Sequence, residues 1–214
     1  MTAAPPQSHV IEGLRSLEVR WILPGLLEPA VTGWFGRFPA EVAARQDAYL
    51  VDPQLRGLSV KVRDGVALEV KVYHGSPGIL EMSGRAVGRT ECWQKWSFPL
   101  ASVGQDRGDL ARWRLIRKRR RIVRFQLVGG QVVAAASGLP MEPGCAVELT
   151  DINADGRAFW SLGFEAIGPA GQLRSVLQGS AALIFAHAPP GQVHLGMSSC
   201  QSYAHWLNPE VLED

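Results

Sequence analysis

The chain has 214 residues and a formal net charge of +2, and 46% of its residues are apolar. These values are typical of a globular protein and exclude a disordered or collagen-like chain. The 23 Gly and 14 Pro are too many for a helical bundle and favour a turn-rich, mainly β protein.

We expect a flexible leader at residues 1–10, followed by a single domain at 11–214. The three cysteines are far apart in the sequence, which favours a reducing compartment and no disulfides. The sequence shows neither an apolar run of bilayer length nor a basic segment followed by an apolar stretch at its start. It therefore predicts a soluble, cytoplasmic protein that makes no contact with a membrane.

Alternating polar and apolar residues predict the first strands, because successive side chains of a strand point to opposite faces. This pattern recurs in three segments, at 16–21, 58–63 and 68–73. The last two are joined by Asp64-Gly65, a tight-turn pair that predicts an antiparallel hairpin. Further strands are expected at 47–52, 91–98, 116–128, 147–150 and 159–167.

The helical signals are fewer. Apolar residues at three- and four-residue steps predict one helix over 172–187, and short helices are expected around 40–45 and within 201–212. About eight strands joined mostly by short turns favour antiparallel pairing, in a sandwich or a barrel. The expected fold class is therefore α+β and mainly antiparallel β.

The basic residues are concentrated in one segment. Residues 112–124 hold eight Arg or Lys and no acid, which leaves 14 basic against 20 acidic residues elsewhere. Such a cationic feature in an acidic chain points to an anionic partner at one place. One alternative is a nucleic acid bound by 112–124, with Trp113 and Phe125 as stacking platforms.

Charged residues also recur at alternate positions of successive strands. They are Glu18, Arg20, Lys61, Arg63, Glu69, Lys71, Lys118, Arg120, Arg124, Glu148 and Glu165. In one interpretation these charges face water on a half-exposed sheet. In the other they face inward and line a wet channel, where Arg and Lys would bind a polyanion and carboxylates would hold Mg²⁺ or Mn²⁺.

Several short segments, in their order along 14–167, resemble strands of the CYTH proteins, the triphosphate tunnel metalloenzymes. Glu18-Val-Arg20 is similar to the E-x-E-x-K strand that opens those proteins, and Val60-Lys-Val-Arg63 is similar to their R-x-R strand. The other matching segments are 46–52, 68–71, 116–120, 148–151 and 160–165.

This resemblance implies a closed eight-stranded tunnel barrel with a few flanking helices. The tunnel would bind a polyphosphate-bearing anion, an inorganic or organic triphosphate, and hydrolyse a phosphoanhydride bond with Mg²⁺ or Mn²⁺. The metal ligands would be Glu18, Glu148 and Glu165, with Glu18 and Glu165 as catalytic residues. The phosphate-binding residues would be Arg20, Lys61, Arg63, Lys71, Lys118, Arg120 and Arg124. The resemblance also leaves a homodimer open.

The chain departs from the family pattern at two carboxylates. Ser16 stands in place of the first Glu of E-x-E-x-K, and Gly163 in place of the first Glu of the terminal E-x-E. Fewer oxygen ligands weaken a site for a divalent metal. A second candidate function is therefore a non-catalytic module that binds polyphosphate or a nucleotide, since binding needs the cations more than the carboxylates.

Overall fold

The computed structural model describes residues 13–82, 84–100, 112–135, 143–191 and 193–209. The expected leader at 1–10 lies outside these residues. Ten strands occur in the described ranges: β1 Leu14–Pro24, β2 Glu41–Leu50, β3 Leu58–Arg63, β4 Ala67–Tyr73, β5 Gly78–Met82, β6 Ala86–Pro99, β7 Trp113–Val128, β8 Gln131–Ala134, β9 Gly144–Ala154 and β10 Arg157–Ile167. The helices there are α1 Pro29–Phe35, α2 Ala170–Ile184 and α3 Tyr203–Leu207, with a one-turn 3₁₀ helix at Met197–Ser199.

Eight of the strands form a closed antiparallel barrel. Their order is β1, β10, β9, β7, β2, β3, β4 and β6, and β6 returns to β1 through pairs such as Glu91 with Glu18. The other two strands lie outside this ring, since β5 pairs with the first part of β6 and β8 with the end of β7. The predicted fold class and the closed eight-stranded barrel are confirmed, and a sandwich is excluded.

Tight turns join the hairpins of the barrel at the positions where the sequence places turn residues. Asp64 and Gly65 between β3 and β4 have φ values of 49° and 71°, and Asp155 and Gly156 between β9 and β10 have 51° and 78°. Two successive residues with positive φ form the turn whose twist matches that of paired strands. The hairpin predicted from Asp64-Gly65 is confirmed.

The hydrophobic core lies outside the barrel wall, between the wall and α2. One side of α2 buries Val176, Leu177 and Ile184 against the outward-facing residues of β1, β9 and β10. Trp21 of β1 meets the ring of Phe164 of β10 edge to face, with the ring centroids 6.3 Å apart. Because the apolar faces of these strands are buried on the outside of the barrel, their polar faces point into its interior.

The helix expected around 40–45 is wrong. Residues 41–45 belong to β2, where Arg45 pairs with Lys118 of β7. Their alanines have high intrinsic helix propensity, but the cross-strand pairing overrides it. The first helix instead begins at Pro29, a residue that suits the first turn because it needs no amide donor there. Across the described ranges, no helix has both the length and the apolarity needed to cross a membrane.

The C-terminal segment completes the barrel in two ways. It bridges to β6 at Leu195 and to β1 at Cys200, and so runs along the place where β1 and β6 separate. Farther on, Leu207 of α3 packs in a cluster with inward-facing residues such as Ile116 and Ile152, which closes one end of the barrel.

Candidate functional site

Inward-facing side chains of the barrel strands line one internal cavity. All ten site residues expected from the sequence contribute to it: Glu18, Arg20, Lys61, Arg63, Lys71, Lys118, Arg120, Arg124, Glu148 and Glu165. The interpretation in which these charges face water on a half-exposed sheet is therefore wrong. The other interpretation, a charged and hydrated interior, is the one that the structure shows.

This cavity, which we call the tunnel, has a volume of about 260 Å³. Its lining also includes Glu69, which the alternation placed on this face without a site role, and four charged residues that the sequence analysis did not name: Arg45, Arg89, Glu91 and Lys95. Each of them lies two residues from another inward-facing position on its strand. Period-two alternation could therefore have found them, once the inward face was known.

The exposed fraction of the tunnel side chains shows which end is open. It is 3% for Lys118 and 14% for Arg20, but 29% for Arg63 and 30% for Arg124. The two less exposed of these four, Lys118 and Arg20, are the ones that contact α3, through the ring of Tyr203. A ligand would enter at the end lined by Arg63 and Arg124.

The deepest cluster is built around Asp47 of β2. Lys118 donates to Oδ2 of Asp47 at 2.7 Å and to the Tyr49 hydroxyl at 2.9 Å, and Lys61 donates to the same Asp47 oxygen at 3.2 Å. Burial raises the pKa of Asp47, but the charges of Lys118 and Lys61 outweigh burial and hold the pKa below its usual range. Burial lowers the pKa of Lys118 and Lys61, and the ionised Asp47 between them opposes this effect and fixes both lysines at the base of the tunnel.

Tyr203 of α3 forms part of the closed end. The Lys118 ammonium lies 3.6 Å from the centroid of its ring, and the Arg20 guanidinium carbon lies 4.8 Å from it. Burial raises the pKa of Tyr203 to about 12, so its phenol is neutral. A neutral ring face stabilises both cations without consuming their charge. Sequence reasoning missed this residue because 168–214 contain none of the matching motifs.

Arg20 and Glu148 form a second cluster on the tunnel wall. Arg20 donates to the Ser161 hydroxyl at 3.1 Å and lies 3.5 Å from Glu148. Arg120 Nε donates to Glu148 at 2.7 Å, and the Thr150 hydroxyl donates to its other oxygen at 2.7 Å. Burial raises the pKa of Glu148, but Arg20 and Arg120 outweigh it and hold the pKa well below its usual range.

A third cluster joins β1, β10 and β4. Lys71 lies 2.6 Å from Oε1 of Glu18 and 3.7 Å from Oε1 of Glu165, and Lys95 lies 3.6 Å from the same Glu165 oxygen. Glu18 also accepts from the Ser16 hydroxyl at 2.5 Å. The charge of Lys71 is the main reason that the pKa of Glu165 is lowered to about 2.

The carboxylates of the tunnel do not fit a site for Mg²⁺ or Mn²⁺. Such a site needs several oxygen ligands converging on one point. Among the residues that the structure describes, no three Asp, Glu, His or Cys side chains form such a group. Glu18 and Glu165 instead contact Lys71, and Glu148 contacts Arg20 and Arg120.

The tunnel carries more positive than negative groups. Within the described residues its lining has ten Arg or Lys side chains against five Glu, and Asp47 at the base adds a sixth carboxylate. Arg45 makes no hydrogen bond or ion pair with any of these residues. Burial lowers its pKa and the like charges of Arg120 and Arg63 lower it further, and the opposite effect of Asp47 and Glu148 does not outweigh them. An arginine cannot respond by losing its proton, so this surplus charge is available to an anion.

The fold and the site agree with each other: an eight-stranded barrel closes around a tunnel, and the Arg, Lys and Glu side chains inside it come from the strands that carry the motifs. The chain has the closed tunnel barrel that its resemblance to the CYTH proteins implied.

No protein-family model and no curated protein sequence matches the chain. Similar solved structures include the PH1819 protein from Pyrococcus horikoshii OT3, with a TM-score of 0.45 and 11% identity over 90% of this chain and 97% of that one. They also include the S. pombe RNA triphosphatase Pct1 in complex with the Spt5 CTD, with a TM-score of 0.45 and 11% identity over 85% and 83%. The mimivirus capping enzyme triphosphatase has a TM-score of 0.42 and 12% identity over 80% and 89%. Identities this low assign no residue roles.

The basic segment 112–124 is divided between the two sides of the barrel wall. Lys118, Arg120 and Arg124 line the tunnel, whereas Arg117 and Arg119 are exposed on the outside. The segment is therefore not one continuous basic surface. The basic residues are close together in the sequence because one set of them lines the tunnel and the alternate set faces the outside of the barrel.

Proposed function

We propose that the tunnel binds a polyphosphate-bearing anion, an inorganic or organic triphosphate. The observation that carries this proposal is the surplus of inward-facing cations, above all Arg45, which forms no ion pair with any described residue and feels Asp47 and Glu148 only at longer range. Cations held close together repel one another, and an anion between them removes that repulsion. Guanidinium groups also match the geometry of phosphate oxygens.

The distribution of the cations favours a chain of phosphates over a single anion. Lys118 and Arg20 lie at the less exposed end of the tunnel, and Arg63 and Arg124 lie at the open end. A small monovalent anion would contact one of these levels only. A linear polyanion can contact several levels at once, with one end near Tyr203 and the other at the mouth.

The size of the tunnel is consistent with such a ligand. Its volume of about 260 Å³ lies just below the roughly 300–1,000 Å³ of pockets for drug-sized molecules. A triphosphate group fits this description, and any organic part attached to it would extend through the open end. The proposal therefore concerns the phosphate chain and leaves the organic part, if there is one, outside the tunnel.

Between hydrolysis and binding, the contacts of the carboxylates favour binding without turnover. Metal-dependent hydrolysis would use Glu18 and Glu165 as catalytic residues with Mg²⁺ or Mn²⁺. In the tunnel both of these carboxylates contact Lys71, and the third expected ligand, Glu148, contacts two arginines. Binding requires the cations alone, and these are present in surplus.

Calorimetric titration of the protein with tripolyphosphate tests the proposal. We expect Arg45→Ala to weaken binding roughly 10- to 100-fold, the effect of losing one charged hydrogen bond of about 1.5–3 kcal/mol. The matched control is Arg117→Ala, which removes the same charge from the outer face of the barrel. Equal losses for the two variants, or no binding by the wild type, would refute the proposal.

A phosphate-release assay with tripolyphosphate separates binding from hydrolysis. We expect no release above the uncatalysed rate, with or without added Mg²⁺ or Mn²⁺. Turnover that disappears in Glu18→Gln and Glu165→Gln would instead establish the hydrolase function that the sequence motifs imply.

A further inference from the structure

Lys71 lies where a cation bridges two carboxylates. Glu18 and Glu165 are directly paired across β1 and β10, and the Lys71 ammonium from β4 lies within 2.6 Å of one and 3.7 Å of the other. Glu91 of β6 is the pairing partner of Glu18 on its other side. Three glutamates therefore start from one row across three strands, and a lysine of the chain itself contacts two of them.

Arg20 occupies a comparable place at Gly163. A Cβ atom built on Gly163 would lie 2.5 Å from the guanidinium carbon of Arg20 and within 2.7 Å of both of its terminal nitrogens. The guanidinium therefore packs directly over the glycine, where a glutamate side chain would have to begin. Gly163 and Arg20 are complementary: the absent side chain makes the space, and the arginine fills it and reaches Glu148.

We propose that Lys71 and Arg20 are built-in counter-cations that take the place of a divalent metal, so that the tunnel selects the metal-free form of a polyphosphate. This inference rests on the proposed function. It adds the charge state of the ligand, which the proposed function leaves open.

The charge of the tunnel supports this selection. A polyphosphate that has bound Mg²⁺ carries less negative charge than the free anion, so its attraction to a tunnel with ten cations is weaker. The metal ion itself would meet those cations before it reached a carboxylate. It would also have to displace Lys71 from Glu18, at a cost in charged hydrogen bonds.

The first test compares the Kd of the wild-type protein for tripolyphosphate in EDTA and in excess MgCl₂, by calorimetry. We expect a lower Kd in EDTA than in MgCl₂ at matched ionic strength. An equal Kd, or binding that is tightened by Mg²⁺, would overturn this inference and leave the proposed function standing. Absence of binding under both conditions would overturn both.

The second test makes the tunnel dependent on metal. Lys71→Met leaves Glu18 and Glu165 as a carboxylate pair without the lysine between them. We expect this variant to bind Mn²⁺, measured as loss of the free-ion signal in electron paramagnetic resonance, where the wild type does not. We also expect Mn²⁺ to lower its Kd for tripolyphosphate.

The matched control for this test is Arg45→Met, which removes one tunnel cation that contacts no carboxylate. We expect weaker tripolyphosphate binding than in the wild type, but no Mn²⁺ binding. If Lys71→Met and Arg45→Met respond to Mn²⁺ alike, the counter-cation role of Lys71 is refuted. Circular dichroism and thermal melting establish that both variants are folded, and the wild-type comparison remains decisive if either is not.

Discussion

Gly163→Ala is a direct test of how closely Arg20 packs in the tunnel. The added Cβ atom would lie 2.5 Å from the guanidinium carbon, whereas ordinary contacts begin at 3.4 Å, so the guanidinium must move by about 1 Å. Such a movement disturbs its hydrogen bond to Ser161, now 3.1 Å long, and its ion pair with Glu148, now 3.5 Å long. Overpacking of this kind costs about 1–3 kcal/mol.

The magnitude follows from these contacts. The disturbed hydrogen bond from Arg20 adds a loss of stability of the same order as the overpacking. Part of this loss is offset because the displaced guanidinium regains hydrogen bonds to water. Because the atoms that must move are the far end of a flexible arginine side chain, we expect Gly163→Ala to lower the free energy of unfolding by about 1 kcal/mol, at the low end of this range. Urea titration followed by circular dichroism measures this change, and calorimetry with tripolyphosphate should show weaker binding.

Gly171→Ala is the matched control. Gly171 lies in α2, and a Cβ atom built there meets no other atom within 4 Å. Replacing a helical glycine by alanine raises stability by roughly 0.5–1 kcal/mol. If Gly163→Ala is as stable as Gly171→Ala and binds tripolyphosphate as the wild type does, Arg20 does not pack over Gly163 and the counter-cation inference loses its basis.

Three further predictions concern acid stability, the deep cluster and the hairpin turn. The pKa of Glu165 is lowered to about 2 from 4.5, so its contribution to the free energy of unfolding is complete above about pH 4.5 and is lost as the pH falls towards 2. In urea titrations at successive pH values, the free energy of unfolding of Glu165→Gln should therefore fall less over this window than that of the wild type. Asp47→Asn leaves Lys118 and Lys61 facing each other without their shared carboxylate and should cost about 3–5 kcal/mol in urea titration, the usual effect of breaking a buried pair. Gly65→Ala forces alanine to φ +71° and should lower the free energy of unfolding by about 1 kcal/mol, with tripolyphosphate binding unchanged.

Specific outcomes would contradict these predictions. Parallel acid profiles for the wild type and Glu165→Gln would mean that Lys71 does not stabilise the ionised carboxylate. An Asp47→Asn variant as stable as the wild type would mean that the two lysines are solvated rather than held by Asp47. A Gly65→Ala variant of unchanged stability would mean that the turn adopts another conformation.

The strands and their turns could be predicted because their causes are local. The alternation in β1, β3 and β4 and the pair Asp64-Gly65 depend on side-chain period and on backbone conformation, which short segments determine. Whether the polar face of a strand points into or out of the barrel is not determined by the strand's own sequence. Alternation has the same form whether the apolar face packs inward or outward, and here α2 settles the matter by covering the outside of β1, β9 and β10.

The partners of the tunnel residues could not be predicted because they depend on how the barrel closes. Glu18 has Glu165 on one side and Glu91 on the other only because β1 lies between β10 and β6. Lys71 lies on β4 and contacts Glu18 of β1 and Glu165 of β10 inside the tunnel, so these contacts join three different strands. The motifs therefore predicted which residues meet, but assigned the carboxylates to a metal.

Gly163 and Tyr203 show two other limits of sequence reasoning. In the sequence, Gly163 stands where the family pattern has a glutamate, which suggests only a lost ligand. In the structure, the absence of a side chain at Gly163 leaves the space that the Arg20 guanidinium fills. Tyr203 lies in a segment without matching motifs, yet its ring contacts Lys118 and Arg20 at the closed end of the tunnel. Both effects depend on side-chain volume in three dimensions, which no spacing pattern along the chain records.

A crystal structure of the protein grown with tripolyphosphate in EDTA tests the central claim most directly. We predict density for the phosphate chain inside the barrel, in contact with Arg45, Arg63 and Arg120. Density confined to the outer face around Arg117 and Arg119, or an interior that stays free of phosphate at saturating ligand, would contradict it.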